Sequence, residues 1–183
     1  MEQLNELKQF SSCDVADALV NLGVHYGGYL HGLRMFSPCQ AVFVSQPRGY
    51  YAACWGGLMS TRSKRLGAQG VVIDGNFRDI LEHKELEFPL FARATAAGGS
   101  ASFTRCAGIN VPVHFTSAEQ VRPLIIHPGD YVLADADGVV IIPPAYAAQC
   151  LELVKTRYEI DQKTLSALQS GEPMGPTIAR LRN

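Results

Sequence analysis

The predicted fold depends most on one stretch of ten residues, GVVIDGNFRD (70–79). Its first six residues are rich in β-branched side chains and end in a turn, which indicates a short buried strand. Helical spacing precedes it from Leu58 to Leu66, and a second short helix is predicted over Ile80 to Leu86. The run 88–93 then has the composition of another strand. Strand, helix and strand in that order predict parallel βαβ units and an α/β fold.

The rest of the chain predicts helices at both ends and short strands between them. Leu4 and Leu7 share one face of a first helix, and residues 11–14 offer N-cap groups for a second, Val15 to Leu22. The glycine-rich stretch 27–32 suits a loop. Further strands are predicted at 41–45, 110–115, 131–135 and 139–143, the last two joined as a hairpin, and a helix at 145–168. In the absence of repeats or linkers, we expect residues 1–183 to form one domain with a mixed sheet, N-terminal helices and a long C-terminal helix.

Composition and charge argue against several classes of partner. The 183 residues are 47% hydrophobic and 18% charged, and their formal net charge is −1. Such a balance gives no reason to expect nucleic acid or an anionic membrane as a partner. No apolar run reaches the length of a membrane span, and the first six residues lack the pattern of a secretory signal. We therefore expect a cytoplasmic protein that binds neither nucleic acid nor membrane.

The cysteines and histidines form neither a metal-binding nor a disulfide pattern. The five cysteines (Cys13, Cys39, Cys54, Cys106 and Cys150) include no CxxC pair, and the five histidines include no HExxH motif. The favoured interpretation is that the cysteines are reduced, buried thiols that pack as small apolar residues.

Two glycines stand directly before the predicted helix 58–66, in the run WGGLMS (55–60). Without Cβ atoms their backbone can approach a ligand closely, and free N–H groups at a helix start bind carboxylate or phosphate. A glycine pair in this position is, however, more often a tight turn. The spacing alone leaves both interpretations open.

Arg78 and Asp79 follow the buried strand, at the edge of the sheet where ligands of α/β proteins collect. A guanidinium there can hold a carboxylate or a carbonyl oxygen, and a carboxylate beside it suits a hard cation such as Mg²⁺. The alternative is a surface ion pair in which Asp79 is the N-cap of the next helix. Spacing alone slightly favours that alternative.

The two motifs together resemble the RraA-like family, which includes the 4-hydroxy-4-methyl-2-oxoglutarate aldolases. The resemblance rests on WGGLMSTR (55–62) followed by LGAQGVVIDGNFRD (66–79), and extends to DVADAL (14–19), FPLFA (88–92), NVPV (110–113) and PGDYVLADADGVV (128–140). The form GGLMSTR is similar to the fungal-type branch of the family. The resemblance implies a swivelling β/β/α domain.

The resemblance also implies a role for each residue of the two motifs. The substrate-binding group comprises the backbone amides of Gly56, Gly57, Leu58 and Met59, which would hold the carboxylate of a pyruvate unit. Arg78 would be the catalytic residue that binds the substrate's oxygens, and Asp79 would hold Mg²⁺ or Mn²⁺. The implied enzyme is a class II, metal-dependent pyruvate aldolase. It would cleave 4-hydroxy-4-methyl-2-oxoglutarate-type acids to pyruvate and decarboxylate oxaloacetate through the same pyruvate enolate.

Three carboxylates are candidates to complete this site. Family aldolases often carry an acidic residue where this chain has Gly57, and Asp74 is either its replacement or simply a turn residue. The resemblance also implies an acidic residue from the C-terminal helix of an adjacent subunit in a homotrimer or homohexamer. That position falls on Asp161, and Asp17 is a similar candidate. An exposed helix carboxylate remains the alternative reading of both.

The sequence departs from the family pattern near residue 40, where residues 36–40 run directly into the predicted strand and a further segment is absent. The competing function that the resemblance allows is a non-catalytic, protein-binding regulator of RNA-degrading enzymes. A third reading, a quinone methyltransferase, lacks the glycine-rich nucleotide loop that such an enzyme needs.

Overall fold

The computed structural model describes residues 2–37, 42–101 and 103–182. The helices are α1 (Glu2–Leu7), α2 (Ser12–Asn21), α3 (Gly57–Arg65), α4 (Ile80–Glu85), α5 (Ala147–Gln169) and α6 (Met174–Leu181). The strands are β1 (Arg34–Ser37), β2 (Val42–Ser45), β3 (Val71–Phe77), β4 (Leu90–Thr95), β5 (Val113–Phe115), β6 (Leu124–Ile126), β7 (Tyr131–Ala134) and β8 (Val139–Ile142). Among the described residues, no helix combines the length and the apolar composition that crossing a membrane requires.

The strand β3 lies inside a four-stranded sheet of order β1-β4-β3-β2. It pairs in parallel with β2 on one side and with β4 on the other, so that Val71 lies opposite both Val42 and Leu90. The helix α3 connects β2 to β3, and α4 connects β3 to β4, which confirms the predicted βαβ units. The strand β1 pairs antiparallel with β4 and makes the sheet mixed, as predicted.

Alternate residues of β3 belong to two different hydrophobic clusters, because successive side chains of a strand point to opposite faces. Val71 and Ile73 pack with Trp55, Phe77 and Phe88 on the face next to α4. Val72 points the other way. It joins a cluster that includes residues of two antiparallel pairs, β5–β6 and β7–β8.

The strand β8 connects this second cluster to the helices. Val139 and Ile141 pack toward the sheet, whereas Val140 and Ile142 pack against residues of α1, α2 and α5. All four side chains are buried, as expected for a strand with a packed layer on each face. The four-stranded sheet, the β7–β8 pair and the helices therefore form three packed layers. This is the β/β/α arrangement that the resemblance implied.

The structure changes several predicted boundaries and adds elements that were not predicted, including a short 3-10 helix, His25–Gly28. The strands β1 and β6 and the helix α6 were not predicted. The helix α2 begins three residues before Val15, because Ser11 is its N-cap and forms a reciprocal capping box with Asp14. Only Val113–Phe115 of the predicted strand 110–115 is a strand. Residues 38–41, which include Cys39, Ala41 and most of the shortened segment near residue 40, lie outside the described residues.

The prediction of buried thiols is only partly correct. Cys150 is buried and Cys54 is half-buried, but Cys13 and Cys106 are exposed, so the prediction is wrong for these two. Burial raises the pKa of the thiols of Cys54 and Cys150 to about 11. Both thiols are therefore protonated near neutral pH and are poor nucleophiles.

Asp135 joins the helical layer to the β7–β8 hairpin. Its carboxylate accepts hydrogen bonds from the Ser12 backbone N–H and hydroxyl, both at 2.7 Å, and from the Asp137 N–H at 2.9 Å. Burial alone would raise the pKa of Asp135, but these hydrogen bonds outweigh it and lower the pKa below its ordinary value. The ionised carboxylate is therefore part of the folded structure.

The substitution Asp135→Asn should lower the free energy of unfolding by about 2 kcal/mol near neutral pH, because it leaves N–H donors facing an amide group. A carboxylate with a lowered pKa stabilises the fold above its unfolded pKa, and that stability is lost as the pH falls through the folded value. The difference from wild type should therefore shrink below about pH 4. Urea denaturation measures both effects. Asp137→Asn, at the exposed neighbour, is the control, and an equal loss in the two variants would contradict the assignment.

Candidate functional site

The two sequence motifs meet at the carboxyl end of β3. The residue Trp55 forms a parallel bridge with Phe77, and the Arg78 N–H donates to the Trp55 carbonyl at 3.0 Å. The start of α3 therefore lies directly beside the turn from β3 into α4. Residues about twenty positions apart in the sequence share one site, at the edge of the sheet where ligands of α/β folds bind.

Asp79 makes the central contact of this site. It occupies the N-cap position of α4, as one interpretation of the sequence proposed, but its side chain makes no capping hydrogen bond. Its Oδ2 accepts from the Gly57 N–H at 2.9 Å, so the carboxylate is directed at the start of α3 instead. Its backbone is left-handed (φ 66°, ψ 48°), a conformation that costs a non-glycine residue on the order of 1 kcal/mol and is common at functional sites.

Gly56 is needed because the Asp79 carboxylate lies so close to it. A Cβ at this position would lie 2.7 Å from Asp79 Oδ2 and 3.4 Å from Arg78 Cγ and Nε. Any side chain would therefore displace the carboxylate. A protein carboxylate therefore makes the close approach to the glycine pair, and binding of a substrate carboxylate by the amides of residues 56–59 stays a prediction.

Arg78 lies between Asp79 and the segment that follows β4. Its Nε is 3.5 Å from Asp79 Oδ2, and a Cβ at Gly99 would lie 2.7 Å from its Nη1. The side chain is 45% exposed, so the guanidinium is held on two sides and still reaches solvent. It is thus available to an anionic ligand.

Arg78 and Asp79 line a cleft of about 470 Å³, within the size range of small-molecule sites. Its lining comprises residues 78–82 and 95–97. A larger cleft of about 640 Å³ lies between α5 and α6, but there Arg180 already forms an ion pair with Glu172. We assign the candidate site to the smaller cleft, because it holds Arg78 and Asp79.

The sequence analysis missed His83, which supports the backbone at Arg78. The ring is buried, stacks edge-to-face on Phe77 and has its Nε2 3.0 Å from the Arg78 carbonyl oxygen. A carbonyl can only accept, so Nε2 carries the proton. Burial lowers the pKa of His83 and so favours the neutral ring. No sequence pattern marks this residue, because its role depends on packing against β3.

Glu82 was also missed, and it lies against the same glycine pair. A Cβ at Gly57 would lie 1.8 Å from Glu82 Oε2, so the Glu82 carboxylate occupies the space of a side chain at position 57. Glu82 lies three positions after Asp79 in the sequence, the spacing that puts two side chains on one side of a helix. That spacing was the available signal, but only the fold identifies Gly57 as the neighbour.

The other acidic candidates already have cationic partners. Asp74 is buried in β3 and ion-paired with Arg93, which also lies over the Phe115 ring. Burial raises the pKa of Asp74, and the hydrogen bond from Arg93 opposes that rise. Asp17 pairs with Arg157, and Asp161 pairs with Arg182. Neither Asp17 nor Asp161 lines the cleft, and their cross-subunit role stays a prediction.

The donor set of the cleft fits a hard divalent cation. In the described part of the chain, no three His, Cys, Asp or Glu side chains are grouped as a complete metal cage. Mg²⁺ does not require one, since it usually takes one or two carboxylates and keeps several waters. The carboxylates of Asp79 and Glu82, packed where Gly56 and Gly57 have no Cβ, are oxygen donors of the appropriate kind.

Comparison with curated proteins identifies relatives of known name. A protein of Halalkalibacterium halodurans, named "Putative 4-hydroxy-4-methyl-2-oxoglutarate aldolase", is 32% identical over 69% of this chain and 57% of its own length. The 4-hydroxy-4-methyl-2-oxoglutarate aldolase of Thermus thermophilus is 30% identical over 57% of this chain and 59% of its own length. The chain thus matches less than two thirds of the length of these relatives.

Solved structures share the fold over nearly the whole chain. An uncharacterized protein from Pseudomonas syringae pv. tomato has a TM-score of 0.82 at 24% identity, with 96% of each chain covered. RraAS2 of Streptomyces coelicolor, described as an unusual member of the RNase ES inhibitor RraA protein family, has a TM-score of 0.72 at 23% identity, over 93% of this chain and 96% of its own.

The family model described as RraA-like, Aldolase/RraA, matches residues 31–141. This range contains the glycine pair, the strands β2 to β4, Arg78 and Asp79. The chain therefore belongs to the RraA-like family.

Proposed function

We propose that this protein is a divalent-metal-dependent lyase that acts on small 2-oxo acids. It cleaves 4-hydroxy-4-methyl-2-oxoglutarate-type substrates to pyruvate and decarboxylates oxaloacetate. The observation that carries the proposal is that Arg78 and Asp79 line one cleft and that Asp79 is hydrogen-bonded to the start of α3. The names of the aldolase relatives support the same reaction class.

The first task of the site is to hold the carboxylate of the substrate. The Gly57 N–H already donates to Asp79, and the N–H groups of Met59 and Ser60 both donate to the Gly56 carbonyl. Among the described residues, this leaves the Leu58 N–H without a partner in the first turn of α3. We assign the substrate carboxylate to this N–H and to the Arg78 guanidinium, aided by the positive end of the helix dipole.

In this proposal, Arg78 also stabilises the negative charge that develops during the chemical step. As the C–C bond breaks, its electron pair passes into the enolate of pyruvate. The other product is CO₂ from oxaloacetate, or, from the 4-hydroxy acid, a second 2-oxo acid whose carbonyl forms as the hydroxyl proton passes to solvent. The enolate then takes a proton from solvent at carbon to give pyruvate. The guanidinium, fixed against Asp79 and Gly99, stabilises the negative charge that develops on the oxygen. A Mg²⁺ or Mn²⁺ ion held by Asp79 would supply Lewis-acid stabilisation of the same charge.

We further propose a homotrimer or homohexamer that works in the cytoplasm. Leu58 is 84% exposed at the start of α3, an apolar group that assembly would cover. Free thiols at the four described cysteines agree with a reducing compartment. An adjacent subunit would bring Asp161 or Asp17 to the cleft.

The substitutions Arg78→Ala and Asp79→Asn should each reduce pyruvate release from oxaloacetate and 4-hydroxy-4-methyl-2-oxoglutarate by about 10²- to 10³-fold. EDTA should abolish turnover, and added Mg²⁺ or Mn²⁺ should restore it. A coupled lactate dehydrogenase assay measures all three effects.

Arg65→Ala, at an exposed arginine of α3, and Glu85→Gln, at an exposed carboxylate of α4, are matched controls. Undiminished activity in both site variants would overturn the assignment. Failure to turn over any 2-oxo acid, with stoichiometric binding to an RNA-degrading enzyme, would favour the regulator instead.

Light scattering should give a mass three or six times the 19.9 kDa of the chain. If an adjacent subunit completes the site, Asp161→Asn should lower kcat, whereas Glu159→Gln on the same helix should leave it unchanged. A monomer with full activity would contradict the proposed assembly.

The pH dependence of stability should report on His83. A histidine whose folded pKa is lowered stabilises the fold fully above its unfolded pKa of about 6.5, and that stability is lost as the pH falls through the folded value. The free energy of unfolding should therefore fall between pH 7 and pH 5 more steeply in wild type than in His83→Gln. Urea denaturation across this range tests the expectation, and parallel curves would contradict it.

A further inference from the structure

We propose that Gln46 is a positioning residue of the site, whose buried side-chain amide fixes the direction of Arg78. The inference rests on the proposed function, since it takes Arg78 to be the residue that binds the 2-oxo acid and stabilises its enolate. Gln46 follows the last residue of β2 and is only 5% exposed. A primary amide buried at the end of a strand needs a partner for its donor and another for its acceptor.

The side-chain amide of Gln46 bridges a gap in the ladder beside β3. The Gln46 N–H donates to the Asp74 carbonyl at 3.0 Å and so extends the parallel pairing of β2 with β3. The chain then leaves the strand and returns at Cys54, whose N–H donates to the Asn76 carbonyl at 2.9 Å. Between these two bonds, Gln46 Oε1 accepts from the Asn76 N–H at 3.0 Å and Nε2 donates to the Ala52 carbonyl at 2.9 Å. The side chain therefore acts as a peptide group in the ladder.

A β-bulge in β3 lies where this side chain packs. Between residues 73 and 76, β3 advances three positions while β4 advances two, so β3 carries one extra residue there. A Cβ at Gly75, inside the bulge, would lie 2.5 Å from Gln46 Oε1 and 2.6 Å from Gln46 Cβ. Gly75 is absent from the residues with positive φ, so space for the Gln46 side chain is the structural reason for this glycine. A bulge changes the direction of the residues that follow it.

The backbone of Arg78 depends on this junction. The segment 52–57 begins at the carbonyl that Gln46 holds, and its Trp55 carbonyl accepts from the Arg78 N–H at 3.0 Å. Trp55 also forms the parallel bridge with Phe77. A shift of the segment 52–57 along β3 would therefore move the Arg78 backbone with it.

The guanidinium of Arg78 depends on the same segment. The Ala53 N–H donates to the Gly98 carbonyl at 2.8 Å, and the next residue, Gly99, lies against the guanidinium. A Cβ at Gly99 would be 2.7 Å from Arg78 Nη1. Gln46 itself does not line the cleft, so it acts through these neighbours of Arg78. A displacement of about 1 Å at a catalytic group can lower the rate about 10²-fold.

Gln46→Glu tests the inference, because the replacement has the same shape and its hydrogen bonding depends on pH. A protonated carboxyl can accept from the Asn76 N–H and donate to the Ala52 carbonyl, as the amide does, whereas a carboxylate has no proton to donate. Burial and the facing carbonyl raise the pKa of the introduced carboxyl. In a profile from pH 5 to pH 8, the ratio of kcat in the variant to kcat in wild type should approach one at the acid end and fall by about 10- to 100-fold at the basic end.

Two controls separate positioning from a general loss of stability. Gln149→Glu, at an exposed glutamine of α5, should give a ratio that does not change with pH. Asp135→Asn, which weakens the fold away from the cleft, should keep the kcat of wild type. The charged side chains near this part of β3 are common to wild type and variant, so their titration cancels in the ratio: Asp74, Arg48 and Arg93. A ratio for Gln46→Glu that is independent of pH would overturn the inference.

Gln46→Met covers the case in which Gln46→Glu unfolds at the basic end of the profile, which circular dichroism would show. Methionine has a similar length but makes neither hydrogen bond, so kcat should be lowered by about 10- to 100-fold at every pH. A Gln46→Met variant with the kcat of wild type would contradict the role of Gln46.

The backbone amide resonance of Arg78 in NMR spectra tests positioning without turnover. In Gln46→Glu its chemical shift should follow the titration of the introduced carboxyl, an inflection that wild type should lack. If wild type turns over no 2-oxo acid but the Arg78 resonance follows the carboxyl, the proposed function fails and Gln46 still positions Arg78. An Arg78 resonance that does not respond would overturn the inference, even in an active enzyme.

Discussion

The hydrogen bond from the Gly57 N–H to the Asp79 carboxylate holds the two halves of the site together. It connects the first turn of α3 to the turn that leads from β3 into α4. The left-handed backbone at Asp79 is what aims the carboxylate in this direction, and the lack of a side chain at Gly56 leaves it room. Arg78 is positioned as a consequence, since it lies between this carboxylate and Gly99.

The sheet makes this arrangement rigid. Inside the sheet, β3 pairs on both edges and packs on both faces, so its carboxyl end has little freedom. His83 extends that support beyond the strand, through Phe77 and the Arg78 carbonyl. The functional groups project from the ends of well-packed elements, an arrangement that favours a precisely held site.

The sequence predicts those elements whose local residue pattern matches the secondary structure that they adopt in the fold. The strands β3 and β4 and the helices α3 and α4 follow from periodicity, and the positions of Arg78 and Asp79 follow from the end of β3. The short strands β1 and β6 carry too few residues for a periodic signal and form by pairing with distant segments. The direction of the Asp79 side chain was beyond prediction, because it depends on a positive φ. The contact between Glu82 and Gly57 was also beyond prediction, because a glycine in the sequence does not indicate which side chain fills the space beside it.

The packing of Glu82 against Gly57 also constrains how this site could change during evolution. An acid at position 57 and one at position 82 compete for one volume, so each makes the other unfavourable. Two successive single substitutions that move the acid between helices must pass through a chain with both acids or with neither. The chain with both acids is crowded, and the chain with neither lacks a carboxylate at this place. Two unfavourable intermediates of this kind are the condition for sign epistasis.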